Sequence, residues 1–213
     1  MTQLEQKISA IGAVPVIKLD DVNDAEPLAK ALYDGGVKVA EVTFRAAGAP
    51  EVIHGMKSAF PDMIVGAGTV LTRAQIDEAV AAGAEFIVSP GFNPKNVSYC
   101  VEHGIADFPG CTTASEIELA LELGLEVVKF FPAEQSGGLA KIKALAGPFA
   151  NVKFMPTGGI SLKNLGEYMA CKSVAACGGT FMCASADLKA KNWSAITETC
   201  VKSLEIIRAA RGE

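Results

Sequence analysis

Short apolar runs alternate with stretches of helical period along almost the whole chain. Residues 2–10 read as a leading helix. Val14 to Leu19 is a first strand, and Asn23 to Tyr33 carries Ala25, Leu28, Ala29 and Leu32 on one helical face before Asp34-Gly35-Gly36 stops it. Val37 to Phe44 is a second strand ending at Arg45. A helix over about 49–59 places Val52, Ile53, Met56 and Phe60 on one stripe. The pair then repeats. Met63 to Thr69 is a strand, and Thr72 with Gln75 is a capping box for a helix closed by Gly83. Phe86 to Ser89 is a strand halted by Pro90-Gly91, and Pro94 opens a helix closed by Gly104. Ile105 to Pro109 is a weaker strand because Asp107 interrupts it. Thr113 with Glu116 caps a helix closed by Gly124. A strand that begins at Val127 and is ended by Pro132 follows, then a helix over 138–146, a strand Val152 to Met155 and a short helix Asn164 to Met169. Val174 to Cys177 is the last strand. A closing helix over 193–209 has Trp193, Ile196, Val201, Leu204 and Ile207 as its expected inner residues.

Eight strands that alternate strictly with helices predict parallel strands joined by right-handed crossovers. Such units close most economically into a (β/α)8 TIM barrel, here with a short N-terminal helix. The alternative is an open doubly wound sheet, which the absence of G-x-G-x-x-G after the first strand disfavours. No low-complexity linker splits the 213 residues, so residues 1–213 are expected to be a single domain.

Half of the residues are hydrophobic and mean hydropathy is +0.29, yet no apolar run approaches the roughly 20 residues of a membrane helix. The excess fits a tight core and a subunit interface, with no membrane partner. The first residues lack the basic-then-apolar order of a secretory signal, which predicts a cytoplasmic protein. A net charge of -5 without any basic run argues against nucleic acid. The six cysteines form no CxxC and have no histidine at zinc spacing, so they read as reduced, buried thiols and no metal is expected. His54 and His103 fall far apart in helices and suggest no chemistry.

The candidate chemistry lies in Val127-Val128-Lys129-Phe130-Phe131-Pro132-Ala133, where one lysine sits among apolar residues. Desolvating an ammonium is expensive. Lys129 is therefore paired, or opens into a cleft, or is a neutral amine and a nucleophile toward carbonyl carbon. The plain alternative is a lysine snorkelling to solvent. Barrel chemistry collects at the carboxyl ends of the strands. Glu41, Thr43 and Arg45 alternate on one face there, with Val42 and Phe44 on the other. Glu41 and Arg45 can be a structural ion pair. Beside a buried lysine they also make sense as working groups: Arg45 can grip a carboxylate with two parallel hydrogen bonds and disfavours a second cation, while Glu41 favours one. Thr157-Gly158-Gly159 and Gly178-Gly179-Thr180 end the seventh and eighth strands, where this architecture often binds phosphate through backbone N–H groups.

These residues carry a family resemblance. Glu41-Val-Thr-Phe-Arg45, Gly66-Ala-Gly-Thr69-Val, Ser89-Pro90-Gly91, Val128-Lys129-Phe-Phe-Pro-Ala133-Glu and Pro156-Thr-Gly-Gly159-Ile resemble the bacterial 2-keto-3-deoxy-6-phosphogluconate aldolases, also described as 4-hydroxy-2-oxoglutarate aldolases. The resemblance runs in order through nearly the whole chain. It implies a class I carbon–carbon lyase on a (β/α)8 barrel, assembled as a homotrimer, acting on small 2-keto acids with no cofactor beyond a covalent lysine Schiff base and no metal. Position by position it implies Lys129 as the Schiff-base lysine and Glu41 as the general acid/base. Arg45 and Thr69 match residues near the pyruvate carboxylate, Pro90 and Phe131 the pyruvyl pocket, and Thr157 a residue near the substrate hydroxyls. Gly158, Gly159, Gly179 and Thr180 match the phosphate end, with Thr180 standing where relatives often have serine. Three rival readings keep the same barrel: a phosphogalactonate aldolase of opposite preference at C4, a non-covalent phosphosugar isomerase or epimerase, and a non-catalytic phosphometabolite sensor.

Overall fold

The computed structural model describes residues 1–213. Helix α1 (Gln3–Ile11) leads into β1 (Ala13–Ile17), α2 (Ala25–Asp34), β2 (Val39–Thr43), α3 (Ala49–Ala59), β3 (Ile64–Gly68) and α4 (Arg73–Ala81). The alternation continues through β4 (Phe86–Val88), α5 (Pro94–Glu102), β5 (Ala106–Phe108), α6 (Ala114–Glu122), β6 (Val127–Phe130) and α7 (Gly138–Ala146). It ends with β7 (Lys153–Pro156), α8 (Leu165–Met169), β8 (Cys177–Gly179), α9 (Ser185–Ala190) and α10 (Trp193–Arg211). No helix is long and apolar enough to cross a membrane.

Every strand pairing is parallel. Six strands form a half-barrel sheet in the order β5-β4-β3-β2-β1-β8, and β6 pairs with β7. Single parallel bridges, Gly110 to Lys129 and Thr157 to Gly178, lie where the two sheets meet. The result is an α/β fold in which β1, β2 and β3 are buried along their whole length. That burial is why those strands read as continuous apolar runs rather than as an alternation.

The local signals act as their chemistry requires. Thr113 and Glu116 form a reciprocal capping box on α6, and so do Thr2 and Glu5 on α1. At α4 only half of the box forms: the Thr72 hydroxyl accepts from the Gln75 amide, but the Gln75 side chain accepts from Leu71 instead. The last strand departs from expectation. Val174 makes only an isolated bridge to Phe154, and the ladder with β1 is formed by Cys177, Gly178 and Gly179. Only glycine fits at these positions, because an added Cβ would lie 2.3 Å from Thr157 Oγ1 at Gly178 and 2.6 Å from the Phe181 ring at Gly179. Helix α9 was not expected. On α10 the inward residues are Ile196, Cys200, Ser203 and Ile207, whereas Val201 is exposed; its place one residue beyond Cys200 turns it about 100° off the inner stripe.

Asp107 does not interrupt β5 but sits in the ladder opposite Ile87, and it has a thermodynamic consequence. Its carboxyl is buried with Oδ1 unpartnered, and burial pushes its pKa up to about 7. Between about pH 4 and pH 7 the folded chain therefore holds a proton that the unfolded chain has released. Stability is fully present below that window and falls as pH rises through it, by a few kcal/mol at most. Asp107→Asn is expected to flatten this slope, so that the variant gains on the parent between pH 5 and pH 8 in urea midpoints. An unchanged slope would count against the assignment.

Candidate active site

The buried pair at the centre of the site comes from two strands of different sheets. Glu41, in β2, is fully buried, and Lys129, in β6, is 5% exposed. Their side chains meet with Nζ donating to Oε1 at 3.2 Å. Glu41 Oε2 has no hydrogen-bond partner, although its environment is dry. A purely structural ion pair would be expected to satisfy both oxygens, since an orphaned buried acceptor carries a desolvation penalty. The lysine is held from its backbone: its amide donates to the Pro109 carbonyl at 2.9 Å and its carbonyl accepts from Cys111 at 2.8 Å. Nζ lies 5.3 Å from the centroid of the Phe131 ring, within cation–π range.

One cavity of about 280 Å³ opens over this pair. It is lined by all eleven residues singled out from the sequence: Glu41, Arg45, Thr69, Pro90, Lys129, Phe131, Thr157, Gly158, Gly159, Gly179 and Thr180. Two further lining residues, Val16 and Ile160, were missed. Both are apolar and carry no chemical signal, although Val16 follows Val14 by two along β1 and stands next to the strand's end. Thr43 does not join them. Its hydroxyl donates to the Ile17 carbonyl at 2.7 Å and accepts from Arg45 Nε at 3.2 Å, so it fixes the guanidinium while the terminal nitrogens of Arg45 stay free.

The backbone is unusual at both ends of the cavity. Thr69 has φ 56°, a left-handed conformation that is strained for a β-branched residue and costs about 1–3 kcal/mol. Such strain persists only where surrounding structure imposes it. Opposite, Gly158 and Gly159 have φ 99° and 80°. The carbonyls of this loop are tied back: Gly158 accepts from Glu134 N at 3.1 Å and Gly159 from Asn164 Nδ2 at 3.0 Å. The amides of Gly158, Gly159 and Ile160 donate to no protein group, which leaves successive N–H groups available to an anion. Behind the loop the Tyr168 hydroxyl donates to Glu134 Oε1, and the Glu134 stem occupies the space that a Cβ on Gly159 would need. Burial, reinforced by that hydrogen bond, raises the Tyr168 phenol well above its usual range, which keeps it a donor.

A buried amine beside a carboxylate, a free guanidinium and a row of free amides can together engage a keto acid at one end and an oxyanion at the other. Known proteins point the same way. Residues 4–199 match the family described as KDPG and KHG aldolase. The 2-dehydro-3-deoxy-phosphogluconate aldolase of Treponema pallidum is 47% identical over 97% of this chain and 99% of its own length. The KHG/KDPG aldolase of Escherichia coli K12 is 41% identical over 96% of each chain. Among solved structures, the KDPG aldolase of Legionella pneumophila, with pyruvate captured at low pH as a covalent carbinolamine intermediate, superposes with a TM-score of 0.90 at 41% identity, covering 94% of this chain and 97% of that one. With a site of this geometry and relatives this similar over nearly all of its length, the chain belongs to the KDPG and KHG aldolase family.

Proposed function

We propose that the chain is a class I aldolase that cleaves 2-dehydro-3-deoxy-6-phosphogluconate to pyruvate and glyceraldehyde 3-phosphate, and 4-hydroxy-2-oxoglutarate to pyruvate and glyoxylate. The observation that carries this reading is the buried Lys129–Glu41 contact inside a cavity with a free guanidinium and free amides. The Legionella relative's covalent pyruvate supports the same chemistry.

Lys129 Nζ, as the neutral amine, adds to the C2 ketone to give a carbinolamine, which loses water to become an iminium. The iminium draws electrons toward C2. Glu41 then takes the C4 hydroxyl proton, directly or through water, the C3–C4 bond breaks, and its electron pair becomes the enamine. The aldehyde departs. Glu41 returns a proton to C3, and hydrolysis frees pyruvate and the lysine. The iminium supplies the electron withdrawal a metal would otherwise supply, so the cycle calls for no metal or other cofactor. Arg45 and Thr69 hold the carboxylate, Pro90 and Phe131 wall the pyruvyl pocket, and Thr157 meets the substrate hydroxyls. Gly158, Gly159, Gly179 and Thr180 take the phosphate, and the free amides beside them support that role.

The scaffold reading is a single (β/α)8 domain over residues 1–213, supported by one continuous core cluster reaching from Ile8 to Ile207. We extend it to a homotrimer in the cytoplasm. Apolar side chains left exposed on the outer helices, Val80, Val101, Leu119 and Leu121, support self-association, and the free cysteines suit a reducing compartment.

Incubation with pyruvate and borohydride, followed by peptide mapping, tests the proposal: pyruvate-derived mass is expected on Lys129 alone. A chain that takes up no such mass is not a class I aldolase. Glu41→Gln is expected to retain trapping while turnover falls by at least about tenfold, the low end of what a positioned acid/base supplies. Near-normal turnover would remove Glu41 from the mechanism.

A further inference from the structure

A second cavity of about 280 Å³ adjoins the first and shares Val16, Arg45 and Thr180 with it as a common wall. Its remaining charged residues are Lys18, Asp20 and Lys189. Lys18 stands one residue beyond the end of β1, and Lys189 lies on α9, whose Leu188 is buried and seats the helix. Three cations thus face one carboxylate. Asp20 takes only Lys18, at 2.5 Å. Lys189 makes no ion pair and no hydrogen bond, and Arg45 is bound only through Nε. A chain of net charge -5 has placed one unpaired lysine and the unbonded terminal nitrogens of Arg45 beside the mouth of its reactive cavity.

Such a chamber attracts anions. An excess of one sign of charge at a cleft raises the local concentration of oppositely charged ligands and speeds their arrival. The 2-keto acids named above carry a carboxylate at one end and a second anionic group, phosphate or carboxylate, at the other. The phosphate carries the larger charge, about -1.5 to -2. The free amides at Gly158–Ile160 can hold that group only once it is inside.

We propose that this chamber is an anion-capture subsite in which Lys18 and Lys189 engage the distal phosphate of an incoming substrate before it passes the Arg45–Thr180 wall to the glycine loop. The identity of the substrate rests on the aldolase reading; the anion site itself does not. Lys18 and Lys189 are binding residues here and take no part in bond breaking.

The test compares the parent with Lys18→Gln/Lys189→Gln and with a charge-matched control, Lys143→Gln/Lys202→Gln, whose lysines are exposed on α7 and α10. Inorganic phosphate is titrated against each protein and followed by its 31P resonance, a readout that needs no turnover. Half-saturation is expected to rise at least about threefold in the first variant and to stay unchanged in the control. KM is then measured for the phosphorylated six-carbon substrate and for 4-hydroxy-2-oxoglutarate. A rise of about three- to tenfold is expected for the first, a smaller rise for the carboxylate-ended one, and a weaker salt dependence of kcat/KM for both. Equal phosphate binding by parent and variant overturns the proposal, as does weakened binding with an unchanged KM for the phosphorylated substrate. A parent that binds phosphate through these lysines but gains no pyruvate under borohydride would instead sink the aldolase reading.

Discussion

Lys129→Met is expected to abolish turnover, by roughly 10⁴-fold or more, and to abolish pyruvate trapping at every position of the chain. Methionine keeps the length and the apolar stem, so packing in β6 is largely retained, but no nitrogen remains to attack the ketone. The substitution also carries a stability penalty. Lys129 is the only partner of Glu41 Oε1, and Oε2 already has none, so the variant leaves a carboxyl fully buried with no hydrogen bond. Removing one partner of a buried pair costs about 3–5 kcal/mol. Adding Glu41→Gln to Lys129→Met is expected to recover part of that loss without recovering any activity. The two losses then separate cleanly, with urea midpoints reporting the buried pair and trapping reporting the nucleophile. Residual trapping in Lys129→Met would place the Schiff base on another lysine.

Gly68→Ala is expected to be nearly as damaging to turnover, although it adds a single methyl. A Cβ there would lie 2.1 Å from Glu41 Oε1, 2.6 Å from its Cγ and 2.7 Å from its Cδ. The strand cannot yield, because Gly68 is paired with Thr43 in the β2–β3 ladder and its carbonyl accepts from Phe44 at 2.8 Å. The carboxylate must shift instead, which disturbs its present contact with Lys129 Nζ. Turnover should fall by about 10²–10⁴-fold, the contribution of a displaced acid/base, with a stability loss of about 1–3 kcal/mol from overpacking. Pyruvate trapping should suffer less, since the amine is untouched. Gly91→Ala is the control: a Cβ there meets nothing within 4 Å, and both quantities should stay near those of the parent. Parent-like turnover in Gly68→Ala would show that Glu41 need not stand where it does.

Lys129 and Glu41, on which both predictions turn, are legible in the sequence for a physical reason, whereas the lack of room beside Gly68 is not. A lysine in an apolar run and a carboxylate, hydroxyl and guanidinium on alternate positions are costly enough to stand out from the hydrophobic pattern. Lys129, Glu41 and Arg45 therefore announced themselves. The residues that escaped notice contribute shape rather than polarity. Val16 and Ile160 line the cavity as ordinary aliphatics, and the value of Ile160 lies in its backbone amide, which no side chain advertises. The displacement of β8 escaped notice for a similar reason. Val174 to Cys177 is the more apolar segment, but the ladder with β1 runs through Gly178 and Gly179, where neighbouring side chains forbid a Cβ. Thr43 shows the opposite case, a polar residue whose hydroxyl is consumed by the scaffold at Ile17. Helix α9, short and preceded by no side-chain cap, offered little to read, yet it brings Lys189 to the doorway.

Lys129 belongs to the two-stranded β6–β7 unit, while Glu41, Arg45 and Thr69 belong to, or directly follow, strands of the six-stranded unit. A nascent chain in which one unit has formed without the other carries half a reagent. Either the amine has no acid beside it, or the acid has no amine. Bond cleavage, which needs the amine and the acid together, is therefore possible only when the two units are closed on one another.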